Sequence, residues 1–445
     1  MIAIPKKEKE IMQNLLDRGH QAYIIGGFVR DSLLGITPHD IDIFTDATGE
    51  QMLVIFPQGK IIGGEERQAK ILTVIVDGVE ISQFRSNGSR TQTGNDLYKH
   101  LSTCDYTINA YALDINGIVY NYSTFDNDLD KKMLRFVGNP EDRVKEDPLR
   151  IFRGIRLMGK YCSQYADTSM FSNFKEYVET LPRERIRDEL MKIIQSKSSF
   201  EELDFWGMLS WMLPEWEDCR GLHGGKHHNE SVNVHMMTAL NKSRELTNNP
   251  LLMLAVFLHD IGKPESTHRF VGDGEIAQVS DEDTTFYNHH TLGEEIVRQW
   301  MPTMRFSQDD INYVATIVRH HMMGKTGDIS AKTFNKICQD LKNNGVAPED
   351  MLVCTFCDNQ ANKKNPKLSF NEFLKNNGFL QRYYETLYTQ KGFDSNCLEI
   401  TGHDIMKFGY TGKEIGKVKQ DLFDLVSCGV IINRRDKLLE RIKGE

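Results

Sequence analysis

Four residues, Asp40-Ile41-Asp42-Ile43, constrain this chain more than any other stretch. Polar and apolar residues alternate there with the period of a β-strand, so both carboxylates point to one face. Two carboxylates that close repel each other unless a cation lies between them, and a hard cation such as Mg²⁺ prefers oxygen ligands. Just upstream, Tyr23-Ile24-Ile25 reads as a buried strand that runs into Gly26-Gly27-Phe28-Val29-Arg30-Asp31. Gly26 and Gly27 leave main-chain N–H groups to approach a phosphate, and Arg30 adds positive charge nearby. A phosphate cradle beside a metal-holding Asp-x-Asp is the equipment of in-line nucleotidyl transfer with two metal ions. A glycine turn plus an exposed polar strand end is the plainer alternative. It explains either half alone better than both together at this spacing.

With 445 residues, the chain is long enough for two to four domains. Its 40% hydrophobic and 26% charged residues are those of a soluble globular protein. No apolar run approaches a membrane span, and Lys6-Lys7-Glu8-Lys9-Glu10 lacks the apolar core of a signal peptide. The eight cysteines are scattered, and the one tight pair, Cys354 and Cys357, reads as two buried thiols. These features predict a cytoplasmic protein with reduced cysteines. A net charge of −9 argues mildly against a nucleic-acid partner, but its distribution matters more. Lys131, Lys132, Arg135, Arg143, Lys145, Arg150, Arg153, Arg156 and Lys160 form one basic neighbourhood, followed by Arg183, Arg185 and Arg187. Arg434, Arg435, Lys437, Arg441 and Lys443 form a second. Both suit a phosphate backbone, and solvated helix faces are the alternative.

Residues 1–140 mix short apolar strands (Leu72–Val76, Val79–Phe84, Tyr111–Leu113, Ile118–Tyr120) with hairpin signals at Asp77-Gly78 and Asn116-Gly117. From Asp147 the period changes: Leu149, Phe152, Ile155, Arg156 and Met158 fit a helix, and most of the chain beyond them reads helical. Polar, Gly-rich breaks fall near 221–229, 272–283 and 324–328.

Several motifs in order resemble the class II tRNA nucleotidyltransferases, or CCA-adding enzymes, and the related bacterial poly(A) polymerases. Gly26-Gly27-x-Val29-Arg30-Asp31 with Asp40-x-Asp42 is similar to their catalytic motif. Val79-Glu80-Ile81-Ser82-Gln83-Phe84-Arg85 is similar to the strand that supplies a third carboxylate, here Glu80. Asp105-Tyr106-Thr107-Ile108-Asn109-Ala110 matches an element that helps to hold the nucleotide's ribose and phosphates, which implies roles for Asp105 and Asn109. The family has two arginines immediately before it, where this chain has Thr103 and Cys104. The hinge glycines are also replaced, by Asn121-Tyr122-Ser123-Thr124-Phe125, and the segment between Arg85 and Asp105 is short. A reduced loop there is a feature of relatives that add only cytidines. Glu146-Asp147-Pro148-Leu149-Arg150 keeps the family's Glu-Asp-x-x-Arg. If both lie on one helix, Asp147 and Arg150 share a face and read a Watson–Crick edge; an (i, i+3) ion pair is the alternative. The neck residues Arg153 and Arg156, with Glu184-Arg185-Ile186-x-x-Glu189-Leu190, match as well.

A second set resembles the HD superfamily of metal-dependent phosphohydrolases, which are helical. His235 precedes Leu254-Ala-Val-Phe-Leu-His259-Asp260-Ile-Gly-Lys263; His289-His290, Arg319-His320-His321 and Asp358 come after it. Imidazoles and carboxylates suit a transition metal, with Mg²⁺ a further candidate. The implied ligands are His235, His259, Asp260, His289, His320 and Asp358, with Lys263 a phosphate contact. Phe286-Tyr287-x-His289 favours His289 over His290, and His320 is preferred to His321. A degenerate, purely structural HD domain is the alternative.

The resemblance implies an α+β chain. A polymerase-β-like mixed α/β nucleotidyltransferase head (1–140) would precede a helical neck (141–220), an HD-type helical domain (221–365) and a helical tail (366–445). It implies a reaction in which Asp40, Asp42 and Glu80 hold Mg²⁺, and Gly26, Gly27 and Arg30 hold the triphosphate. Asp147 and Arg150 would select CTP or ATP, and the tRNA acceptor end would receive the nucleotide without a nucleic-acid template. Three rivals stay open: a poly(A) polymerase, a CC-adding enzyme, and an RNA-end phosphohydrolase whose head only binds RNA.

Overall fold

The computed structural model describes residues 2–38, 40–62, 73–85, 96–122, 128–225, 229–268, 284–322, 329–365, 367–388, 395–427, 431 and 433–443. Leu72, Ser123-Thr124-Phe125, and most of the segment between Arg85 and Asp105 (86–95) lie outside these residues, as do 226–228, 272–283 and 324–328 of the polar breaks. The chain divides into two compact units, Met1–Trp206 and Gly207–Glu445.

The first unit is built on a seven-stranded sheet. Its strands are β1 (Ala22–Ile25), β2 (Asp42–Thr45), β3 (Lys60–Ile62), β4 (Thr73–Val76), β5 (Val79–Gln83), β6 (Tyr111–Leu113) and β7 (Val119–Asn121), in the order β3-β4-β5-β2-β1-β6-β7. Every pairing is antiparallel except β2 with β5, which sets Asp42 opposite Glu80. The β4–β5 hairpin turns at Asp77 and Gly78, both in the left-handed region (φ 50° and 81°), as a tight Asp-Gly hairpin requires. Alternation fills the interior: Ile24, Ile43, Val74 and Ile81 are fully buried, while Asp42 and Glu80 are exposed.

The change of period at Asp147 is a real boundary. Helix Pro140–Glu146 ends there, and helix Leu149–Tyr161 begins two residues later and buries Ile151, Phe152, Ile155 and Leu157. It packs against helices Arg183–Ile193 and Lys197–Phe205. Gly159 permits the second crossing, since a Cβ there would stand 2.1 Å from the Ser199 backbone nitrogen.

The described part of the second unit is helical. Helices Val232–Ser243, Pro250–Leu258, His289–Thr303, Gln308–His320 and Pro348–Ala361 pack on one another. Pro250–Leu258 is apolar all round and is buried along seven of its nine residues, Leu252 to Leu258, which places the following His259 and Asp260 in the interior. Cys354 and Cys357 are both fully buried on Pro348–Ala361, as the sequence suggests. No helix among the described residues is long and apolar enough to cross a membrane.

Candidate active sites of the head and of the helical unit

The first site opens where β1 and β2 end. A cavity of about 410 Å³ is lined by Gly26, Gly27, Arg30, Asp40, Asp42, Asp105, Asn109, Arg150, Arg153 and Arg156, so the fold brings together ten residues that the sequence spreads over 131 positions. Asp40 precedes β2 rather than lying on it, yet reaches the same cavity as Asp42. Burial, Glu80 and Asp40 together push the Asp42 carboxyl up to about 6, which is what three crowded carboxylates without a cation should show.

The glycine cradle is partly spent. Gly26 has φ 91°, a conformation that favours glycine, and donates its N–H to the Tyr111 carbonyl at 3.1 Å. Arg30 is equally committed: it bonds Asp31 (2.8 Å), Asn109 and the Tyr161 hydroxyl (2.9 Å), and stacks on the Tyr161 ring at 3.9 Å. Asn109 in turn donates to Asp105 at 2.9 Å. These bonds make a rigid wall of Arg30, Asn109 and Asp105.

Asp147 and Arg150 do not lie on one helix. Asp147 caps the end of Pro140–Glu146 in an extended conformation, is 2% exposed, and is held by Arg185 through both carboxylate oxygens at 3.0 and 3.2 Å. The intervening Pro148 makes that break, because it disfavours a helical conformation for the residue before it. Arg150 bonds Glu146 (2.9 Å) and the carbonyls of Thr103 (3.0 Å) and Arg143 (3.1 Å). Arg150 lines the cavity and Asp147 is not among its lining residues. Among the lining residues that the sequence did not assign as ligand contacts are Arg85, His100, Lys160 and Tyr161. Lys160 and Tyr161 end the helix that carries Arg153 and Arg156, so helical spacing was the available signal.

The second site lies wholly inside the helical unit. Two groups of buried side chains could each hold a metal ion: His235, His259 and Asp358, and Asp260, His289 and His321. Asp260 stands between them, with Oδ2 3.2 Å from His259 Nε2 and Oδ1 3.3 Å from His289 Nε2. His259, His289 and His321 each set Nδ1 against the carbonyl three residues earlier, at 2.7, 2.8 and 2.7 Å. That bond places the proton on Nδ1 and turns the Nε2 lone pair inward, the arrangement a metal ligand needs. His235 is oriented differently: Nε2 meets Asp358 at 3.1 Å and Nδ1 faces the buried Glu230 at 3.4 Å. Glu230 is a supporting carboxylate that the sequence reading did not single out.

Burial lowers His289 to about 4 and His321 well below the usual imidazole value, so both are neutral and ready to ligate. Burial also opposes ionisation of Asp260, yet its carboxyl is held well below the normal range, with the Lys263 ammonium as the standing positive charge beside it. Lys263 Nζ lies 2.6 Å from Asp260 Oδ2. His259 Nε2 is buried with no hydrogen-bond partner, an orphan that a metal ion would complete.

One member of the expected set changes. His320 points away and bonds Asp340 at 2.7 Å, whereas the fully buried His321 joins the cluster. The cause is helical: helix Gln308–His320 turns His320 toward helix Ala331–Asn343, and the next position faces the interior.

Fold and sites together define a nucleotidyltransferase-type head joined in one chain to an HD domain. Residues 22–135 match the Poly A polymerase head domain family and residues 232–357 match the HD domain family. The chain is related to the CCA-adding enzymes, as its motifs lead one to expect. It is 33% identical over 210 residues to the CCA-adding enzyme of Staphylococcus epidermidis, a match that covers 44% of this chain and 52% of that one. It is 30% identical over 264 residues to the CCA-adding enzyme of Bacillus subtilis, covering 57% and 65%. The chain thus spans about half to two thirds of the length of these curated relatives. The crystal structure of the Bacillus stearothermophilus CCA-adding enzyme in complex with CTP has a similar fold, with TM-score 0.58 at 18% identity over 100% of this chain and 98% of that one.

Proposed function

We propose that this chain is a cytoplasmic tRNA nucleotidyltransferase that adds C, C and A to the tRNA 3′ end from CTP and ATP without a nucleic-acid template. The observation that carries the reading is that Asp40 and Asp42 line a cavity rich in arginines, with Glu80 paired opposite Asp42 on the neighbouring strand. The three oxygen donors fit Mg²⁺, and the raised Asp42 carboxyl reports charge that a cation would relieve. Bound there, Mg²⁺ would neutralise the triphosphate and lower the pKa of the attacking 3′-hydroxyl. The chain's own residues hold the reactants. Arg153 and Arg156 present guanidinium groups on one helix face, and the Arg30–Asn109–Asp105 wall positions the ribose. Arg150 selects the base; Asp147 supports that side of the site through Arg185. Basic residues of the neck grip the acceptor arm by phosphate and shape. Residues 141–220 form this neck, residues 221–365 the HD domain and residues 366–445 the tail.

The HD unit is read as an active phosphohydrolase with a two-ion centre. His235, His259 and Asp358 would hold one ion, His289 and His321 the other, and Asp260 lies between. A divalent transition metal, or Mg²⁺, fits this mixed donor set and would supply Lewis acidity for phosphoester hydrolysis, as on a 2′,3′-cyclic phosphate at an RNA end. Lys263 would receive the phosphate.

The test is gel-resolved extension of tRNA transcripts ending before CCA, after C and after CC, with CTP, ATP or both plus Mg²⁺. Completion of CCA followed by a stop is the expected result. Addition of CC alone would assign a CC-adding enzyme, open-ended addition of A a poly(A) polymerase, and no extension would overturn the transferase reading.

A further inference from the structure

The cations of the head cavity are not equivalent. Arg30 is engaged by Asp31, Asn109 and Tyr161 and Arg150 by Glu146, Thr103 and Arg143, and Arg156 is paired with the buried Glu189 at 2.9 Å. Arg85 is not. It stands two residues beyond β5, and its backbone N–H donates to His100 Nδ1 at 3.0 Å. Burial, with the charge of Arg85 itself, keeps His100 neutral, so the ring offers no second positive charge. The Arg85 guanidinium lines the cavity, yet its Nε is shielded from solvent and has no hydrogen-bond partner. Arg150 and Arg153 both oppose its charge, and Asp147, a carboxylate that favours it, is engaged by Arg185. Arg153 repeats the pattern: its Nε is buried without a hydrogen bond, and Asp105 and Glu189 stand off at 3.7 and 3.9 Å.

A desolvated guanidinium beside two like charges is costly unless an anion completes it. The same cavity carries the carboxylates Asp40 and Asp42, so an anion entering it must also suit a metal ion. Phosphate oxygens satisfy both demands, since they accept from the planar fork of arginine and ligate Mg²⁺. We propose that Arg85, together with Arg153, binds the polyphosphate of the incoming nucleoside triphosphate. Arg85 thereby supplies the cation that Thr103 and Cys104 do not, for both of these residues line the same cavity. The substrate class rests on the nucleotidyltransferase reading; the anion site rests on the geometry alone.

The experiment is calorimetric titration of the full chain with inorganic tripolyphosphate and Mg²⁺, using wild type, Arg85→Met, Arg85→Lys and the exposed control Lys175→Met. Arg85→Met should weaken binding by about tenfold to a hundredfold, the loss of a charge-assisted hydrogen-bonding group. Arg85→Lys should lose less, and Lys175→Met nothing. Without ligand, the melting temperature of Arg85→Met should be no lower than wild type, because an uncompensated charge has been removed. Adding Cys104→Arg to Arg85→Met should restore part of the affinity. A folded Arg85→Met chain that binds tripolyphosphate as wild type does would overturn the assignment, as would a wild type that binds none. Tripolyphosphate binding that depends on Arg85 in a chain unable to extend tRNA would uphold the anion site and sink the transferase reading. Extension of tRNA with Arg85 irrelevant to binding would do the reverse.

Discussion

Single side chains decide how each site responds to pH and metal. Asp42 is held at about 6 in the folded chain by burial, Glu80 and Asp40, above its ordinary value. A carboxyl raised on folding stabilises the native state at low pH, and that contribution is lost as pH rises through the folded pKa. For Asp42 the window runs from about pH 4 to about pH 6. Asp42→Asn should therefore raise the melting temperature of the metal-free chain at pH 8 and leave it unchanged below pH 4. The carboxyl is desolvated on its protein side yet still reaches solvent, so screening keeps the gain to about 1 kcal/mol or less. Mg²⁺ should stabilise wild type at pH 8 and not the variant, and the same substitution should abolish nucleotide addition. Thermal melts at both pH values, with and without Mg²⁺, check the sign. His320 and His321 make a second contrast. His321→Ala should remove one of two metal ions from the HD unit by elemental analysis, while His320→Ala, which loses only its bond to Asp340, should keep both.

At the scale of elements, glycines carry the close approaches that build the sites. A Cβ on Gly262 would stand 2.2 Å from the His289 carbonyl and 2.4 Å from the Gly293 nitrogen, so the segment after Asp260 touches the start of helix His289–Thr303 backbone to backbone. Gly262→Ala should push these apart and cost about 1–3 kcal/mol by overpacking. It should also lower metal content, since Asp260 and His289 flank the contact; denaturant melts and metal analysis read the two effects separately. Gly159→Ala meets the Ser199 backbone in the same way and should destabilise the first unit, Met1–Trp206, without touching the HD metals. These contacts show what the sequence could tell and what it could not. The Asp-Gly turn of β4–β5, the strand alternation around Asp42 and the helical period after Asp147 are local, so they were legible in the chain. The pairing of Asp42 with Glu80 needs a parallel neighbour 38 positions away, which periodicity alone does not supply. Asp147 and Arg150 misled because Pro148 interrupts the helix between them. The choice of His321 over His320 turned on one helical step at the end of Gln308–His320, where both residues are chemically equal and only packing distinguishes them.

At the scale of the whole molecule, the two candidate metal sites lie in two compact units of one chain. The cavity with Asp40, Asp42 and Arg85 is lined wholly by residues up to Tyr161, and the histidine cluster draws only on residues after Gly207. Among the described residues neither site draws a side chain from the other unit, so their losses should be independent. Asp40→Ala should abolish nucleotide addition and leave hydrolysis of an RNA 2′,3′-cyclic phosphate at the wild-type rate. His259→Ala should do the opposite, removing an inward-facing imidazole from the HD cluster while the head stays intact. A tRNA truncated before CCA and ending in a cyclic phosphate brings the two together, because the proposed nucleotide addition needs a free 3′-hydroxyl as its acceptor. Wild type should add water across the P–O3′ bond of that end, leaving a 2′-phosphate and a free 3′-hydroxyl, and then extend it in one reaction, whereas His259→Ala should extend only the same tRNA supplied with a 3′-hydroxyl. A mixture of Asp40→Ala with His259→Ala should recover extension of the blocked tRNA, provided the opened RNA can pass between molecules. Recovery at wild-type rate would make the two units independent stations, and recovery only at high protein concentration would show that their covalent linkage sets the local supply of the 3′-hydroxyl end.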